Sequence, residues 1–422
     1  MSERKRWIER GKNLAIVLLL LGAVVLLRQS VYYNFLRERL GNSDAQKTES
    51  AASANDTAAL RVTPGAIVVS TAEGTRWGAA WDEEKVGEIF GNFSAALGEA
   101  LGSAAAPVAT DENAWRAALT GNAVTIELPG SYPLPLTAAM LGTTAAFEDD
   151  YSARLLCLVN WGERVELYFL NETDGCYYHS RTAVSASAFR SKLENYRRSN
   201  AGFAFEYEKL RDIAPNTVVL EQLPAFRKLS SDTAVDKGFD LDALFHTLGM
   251  NAAAVKQYTE SDGTRVYLEN GRTVRMDAKG LISCKSGAAG EISAETDARV
   301  SAVRSASAFV RSTLQPSAGA AQLCLVAVET YGDGGYRVDF DYRVGGVAVE
   351  LGGERHAASL TVKRGVVTQA ELCPRRYDLL NEELSVLQML QAAAAAVAGG
   401  GKQLDLVYLD KASEIVCVWV SK

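Results

Sequence analysis

The sequence predicts an α+β fold of mainly antiparallel sheets with packed helices, set behind one N-terminal transmembrane helix. Three observations predict it. A charge-free apolar run stands near the N-terminus; tight glycine turns separate short alternating segments; and helical and paired-strand patterns come in segregated blocks toward the C-terminus. The 422 residues leave room for two or three domains after the membrane segment. With 48% hydrophobic and 23% charged residues the chain can build real cores. A net charge of −7, with no long Lys/Arg cluster in the exported part, argues against nucleic acid as a partner. It also disfavours adsorption to anionic polymers.

The run Leu14–Leu27 carries no charge, and Arg4, Lys5, Arg6, Arg10 and Lys12 precede it. Two readings compete: a signal-peptide h-region, or an uncleaved anchor lengthened by its flanks toward the roughly 20 residues of a span. No small-residue cleavage pattern follows, and no cysteine stands nearby to take a lipid. Instead Arg28 can snorkel, while Tyr32, Tyr33 and Phe35 suit the membrane–water interface. The anchor reading is therefore preferred, over 14–36, with a basic cytoplasmic tail at 1–13. The basic excess keeps that tail inside and sends the rest of the chain out. Gly22 and Ala23 are small residues within the span and form a possible helix-contact seam.

Residues 41–60 are small and polar and read as a flexible linker. An α+β domain is expected over 61–239. It opens with a strand at Ala66–Val69 and an amphipathic helix over Glu84–Leu101, with Val86, Ile89, Phe90, Phe93, Leu97 and Leu101 at helical spacing. A short helix with Trp115 and Leu119 follows, then a strand from Ala123 that should stop at Pro129. Strands over Leu155–Val159 and Arg164–Leu170 flank a turn at Trp161–Glu163. A third strand at Tyr177–Tyr178 precedes a helix over Ser187–Arg198. A central section, 240–290, carries a helix over Leu241–Leu248 and a β-meander from Asp262 to Ile282. Its Asp262-Gly263, Asn270-Gly271 and Lys279-Gly280 steps are turn signals. A second α+β domain is expected over 291–422. Helices are predicted over Glu295–Leu314 and Leu379–Val397, and strands over Leu323–Thr330, Tyr336–Val344, Ala357–Lys363, Val366–Leu372, Leu404–Leu409 and Ile415–Val420. Val338, Phe340 and Tyr342 alternate with Asp339, Asp341 and Arg343, which predicts one wet face.

Chemistry-bearing motifs are scarce. His179, His246 and His356 lie far apart without metal-ligand spacing. No G-x-S-x-G elbow, S-x-x-K set, P-loop or catalytic-cysteine context occurs. The acidic run Glu148–Asp150 lacks calcium-loop spacing and reads as a solvated turn. Asp82, Glu83 and Glu84 read as the start of a helix, where the macrodipole favours negative charge. The six cysteines read as buried thiols; if any pair bridges, Cys157 with Cys176 is the best candidate, on neighbouring predicted strands. No catalytic residue, cofactor or metal is expected.

Four local patterns carry a family resemblance. They are Asn122-Ala-Val-Thr-Ile-Glu-Leu-Pro with Pro133-Leu-Pro-Leu after it, the meander from Asp262 to Gly280, the segment from Gly335 to Val349, and Val418-Trp419-Val420. Together with a short basic N-terminus, one span and a long exported part, the chain resembles the YycH/YycI regulators. These are membrane-anchored accessory proteins of the WalK/WalR (YycG/YycF) two-component system. Ala348 stands where that family usually shows proline. The resemblance implies a non-enzymatic protein whose transmembrane helix and exported domains contact a sensor histidine kinase and a paralogous accessory protein. A cell-wall-associated binding or scaffold protein is the alternative, and an exported hydrolase a weaker one.

Overall fold

A computed structural model describes residues 61–147, 151–286, 298–332, 334–353, 355–389, 392, 404–411 and 414–421. The expected tail, anchor and linker lie outside these residues, as does the acidic run at 148–150. Among the described residues no helix is long and apolar enough to cross a membrane. Two large sheets and two strand pairs form among the described residues. Ala58–Lys422 forms one compact unit.

The first half builds a seven-stranded antiparallel sheet from β1 (Ala66–Ser70), β2 (Arg76–Ala80), β3 (Val108–Thr110), β4 (Asn122–Pro133), β5 (Ser152–Asn160), β6 (Val165–Asn171) and β7 (Cys176–Arg181). Their order is β2-β1-β4-β5-β6-β7-β3. The unbroken apolar runs of β1 and β5 follow from burial on both faces. On one side Ile67, Val69, Leu156 and Leu158 join the largest core cluster with α1 (Glu83–Ser103). On the other, Val68, Leu155, Cys157 and Val159 pack with Trp115 and Leu119 of α2 (Glu112–Thr120) and with residues 201–220. Helix α1 buries the six apolar residues expected of it, each large side chain contributing about 1.5–3 kcal/mol by leaving water. Its N-cap is Asp82, whose side chain accepts from Lys85 N at 3.1 Å.

Two expectations fail here. Strand β4 does not stop at Pro129; it runs on to Pro133 through a register shift between Glu127 and Tyr132. Proline lacks the ladder N–H and is tolerated at such a bulge. After α3 (Leu134–Met140), helix α4 spans Ala186–Leu193 and ends well short of Arg198. Its apolar anchors, Phe189 and Leu193, are exhausted there.

Two short strands, β8 (Ala201–Phe203) and β9 (Val218–Leu220), pair with each other, and β10 (Phe226–Thr233) follows. Helix α5 (Leu241–Thr247) leads into β11 (Lys256–Thr259), β12 (Arg265–Glu269), β13 (Arg272–Met276) and β14 (Ile282–Lys285). The β12–β13 turn has positive φ at Asn270 (46°) and Gly271 (76°), as an Asn-Gly hairpin requires. Helix α6 (Ala298–Thr313) precedes β15 (Gln322–Tyr331), β16 (Gly335–Val344), β17 (Val347–Leu351), β18 (Ala358–Lys363), β19 (Val366–Leu372), β20 (Arg375–Leu384), β21 (Leu404–Asp410) and β22 (Ile415–Ser421). Eleven of these strands share a second sheet, forked at β16. One edge of β16 pairs with β15; the other meets β18 over its first half and β17 at its end. The β18 branch runs through β19 to β11, and the β17 branch runs through β21 to β22. All pairs are antiparallel except β17–β21.

Residues 379–384 are not helical. They belong to β20, which pairs with β10 from Phe226↔Leu384 to Thr233↔Arg375. Helices α1, α3, α4, α5 and α6 all contribute buried side chains to one core cluster. That cluster runs from Ile67 to Leu372 and crosses positions 240 and 291.

Candidate functional site

The two sheets meet around Trp81. It follows β2, holds φ at 56°, and turns the chain into α1. A left-handed conformation is strained for a bulky residue, on the order of 1–3 kcal/mol. Packing offsets it: Trp81 touches three hydrophobic clusters and meets Trp419 of β22 edge to face, centroids 5.3 Å apart. The start of α1 is tied to the β16–β17 turn by a bond from Glu83 N to Gly345 O at 3.3 Å.

Beside Trp81 lies a cleft of about 250 Å³. Its walls are the edges of β1, β2, β4, β5 and β6, the segment near Asn216, and the second sheet at Arg343, Leu404 and Asp405. Arg154 is its central charge. The guanidinium stands 2.8 Å from Glu127 and 3.7 Å from Asp405. Burial opposes its charge, but Glu127, Asp405 and Glu172 outweigh burial and raise its pKa. Its Nε has no hydrogen-bond partner among the described residues. Arg343 adds a second guanidinium and Glu172 a third carboxylate to the lining. Apolar Leu155 and Leu170 complete it. A cleft that combines apolar walls with a few charged groups has room for a small polar group.

The histidines do not converge. His356 Nδ1 lies 2.9 Å from Asp341 Oδ1, and its Nε2 lies 3.9 Å from Asp339 Oδ2. The hydrogen bond to Asp341, with the charges of Asp341 and Asp339, raises the His356 pKa. Ser359 donates to Asp339 rather than to His356. Asp339, expected on a wet face, is buried and neutralised by Arg337 at 3.1 Å. His179 stacks on Tyr168, centroids 5.2 Å apart, and stands 3.3 Å from buried Glu166 without hydrogen-bond geometry. His246 is exposed on α5. Among the described residues no cluster of three or more metal-ligating side chains forms.

The cysteines are free. Cys157 and Cys176 sit on β5 and β7 with β6 between them, opposite Tyr168 and Asn171 respectively. Two strand spacings across the sheet and a three-residue offset along it put them roughly 14 Å apart, beyond the ~7 Å limit for a bridge. Cys176 is exposed, against expectation, while Cys157 and Cys284 are buried. Burial pushes both of those thiols up to about 12. The possible seam at Gly22 and Ala23, and Arg28, Tyr32, Tyr33 and Phe35, lie outside the described residues. Sequence reading missed Trp81, Arg154 and Arg343 as site residues. The signal was there for Arg154: a lone charge at the head of the apolar run Leu155–Val159.

No family model and no curated protein matches the chain by sequence. By shape the chain is similar to a solved structure. It is the crystal structure of YycH from Bacillus subtilis, with a TM-score of 0.54 at 10% identity, covering 87% of this chain and 95% of that one. The fold is therefore YycH-like.

Proposed function

We propose that this chain is a membrane-anchored, extracytoplasmic regulator that modulates a sensor histidine kinase by protein–protein contact, including contact through its transmembrane helix. One observation carries the reading: the likeness to YycH runs through 87% of this chain and 95% of the solved one, so it extends well beyond a shared motif. The basic tail, the apolar run from Leu14 and the interfacial residues Arg28, Tyr32, Tyr33 and Phe35 support the anchor.

The test is a bacterial two-hybrid assay against the sensor kinases of the host, with Gly22→Leu and Ala15→Leu compared. Leucine favours the bilayer, so insertion is retained in both; bulk at Gly22 separates closely packed helices. The signal should fall for Gly22→Leu and persist for Ala15→Leu. Full binding by both variants would reject contact through the helix. Absence of any kinase partner for the wild type would reject the regulatory reading itself.

A further inference from the structure

A second cavity, of about 230 Å³, opens where β15 and α6 face the irregular part of β4. Its floor is apolar: Met140, Val310, Leu325 and Phe340 line it and are each buried. Its charged lining consists of Arg61 and Arg311, and no described carboxylate lines it. Both arginines are exposed at the mouth, and neither has a hydrogen bond or ion pair among the described residues. This separates it from the cleft beside Trp81, where Glu127, Glu172 and Asp405 outnumber two arginines. There an anion meets repulsion; here it meets two unshared guanidiniums above apolar surface.

We propose that this cavity binds an amphiphilic organic anion, its carboxylate or phosphate head held by Arg61 and Arg311 and its apolar body against Val310, Leu325 and Phe340. Guanidinium forks match the planar or tetrahedral oxygens of both heads. An engineered apolar cavity of about 150 Å³ takes up benzene, so the space here suits a body somewhat larger than one aromatic ring. Cys324 also lines the cavity, and burial pushes its thiol up to about 11. The thiol stays protonated at neutral pH, which makes the site one for binding rather than covalent capture. The head group has two possible sources, a soluble metabolite or an anionic lipid.

The inference is independent of the kinase reading and uses the full chain, in buffer or in phosphatidylcholine nanodiscs. Hexyl phosphate, titrated calorimetrically, should bind saturably. Arg61→Gln and Arg311→Gln should each weaken it about tenfold, the scale of one charge-assisted hydrogen bond, and Arg311→Lys should weaken it less. Both side chains are exposed, so the variants should melt like the wild type. Hexanol and inorganic phosphate should each bind at least tenfold more weakly than hexyl phosphate. Equal binding of hexanol would overturn the anion site, and equal binding of inorganic phosphate would overturn the amphiphile. No binding of hexyl phosphate, or undiminished binding by both glutamine variants, would overturn the proposal entirely. Competition by phosphatidylglycerol vesicles, with none by phosphatidylcholine vesicles, supports a lipid source; saturable hexyl phosphate binding without such competition supports a soluble one.

Discussion

Gly130 shows how little freedom some single positions have. A Cβ there would overlap the carbonyl oxygen of Val326, because the irregular stretch of β4 presses directly on β15. Tyr132, almost completely buried two residues on, donates its hydroxyl to Leu325 O across the same contact. Gly130→Ala should therefore destabilise by about 3 kcal/mol, as an overpacked core does. Chemical denaturation would check it, and a loss below about 0.5 kcal/mol would count against this contact. His356 makes a different prediction. Its folded pKa is raised above the unfolded value of about 6.5, so the folded state binds the proton more tightly. The resulting stabilisation is fully present below pH ~6.5 and is lost as pH rises through the folded pKa. Melting curves from pH 5 to 9 should show this decline in the wild type and a flatter profile in His356→Gln. Residues of this kind were only half legible. Asp82 was readable as a helix start because capping is local. Arg154 and Arg343 line one cleft only through the fold, and no spacing in the sequence reports that.

At the scale of elements, legibility followed how local the deciding interaction was. Helix α1 has its own apolar stripe and cap, and the meander has its own turns, so both stood clear in the sequence. Strand β20 did not. Leu379, Leu380 and Leu384 among acidic residues have helix-like spacing, yet Leu379 is 42% exposed and the segment pairs with β10, far away in the chain. Tertiary hydrogen bonding outweighed a weak local preference. The Pro129 misreading is similar, since a bulge is defined by its partner strands. Helix α1 supplies the prediction at this scale. Asp82→Ala removes the side chain that accepts from Lys85 N, at a cost of about 1 kcal/mol. Asp82→Asn, which still caps, should recover most of it in the same urea titration.

For the molecule as a whole, the α+β class and the antiparallel sheets were legible, while the joining of the two sheets was not. Apolar periodicity says which face is buried but not against what. The largest core cluster draws from residues 67 to 372, so the described part should unfold in one cooperative transition. Calorimetry of a body starting at Arg61 should give equal van't Hoff and calorimetric enthalpies; two separated transitions would favour independent units divided near 240 or 291. Limited proteolysis should first cut within 41–60, where the composition buries too little apolar area to offset ordering entropy, and release a body starting near Arg61.

The corner at Trp81 also has a consequence for timing. Its partners, the Gly345 turn and Trp419, lie far along the chain from it. A polypeptide that emerges amino end first exposes this indole long before either partner has been made. Until then the strained turn lacks the contacts that hold it, and the apolar surface around it stays open to misassociation. Contacts of such long sequence separation form slowly. Maturation would thus be gated by the arrival of the last strands, leaving a window in which chaperones and quality-control proteases compete for the nascent chain.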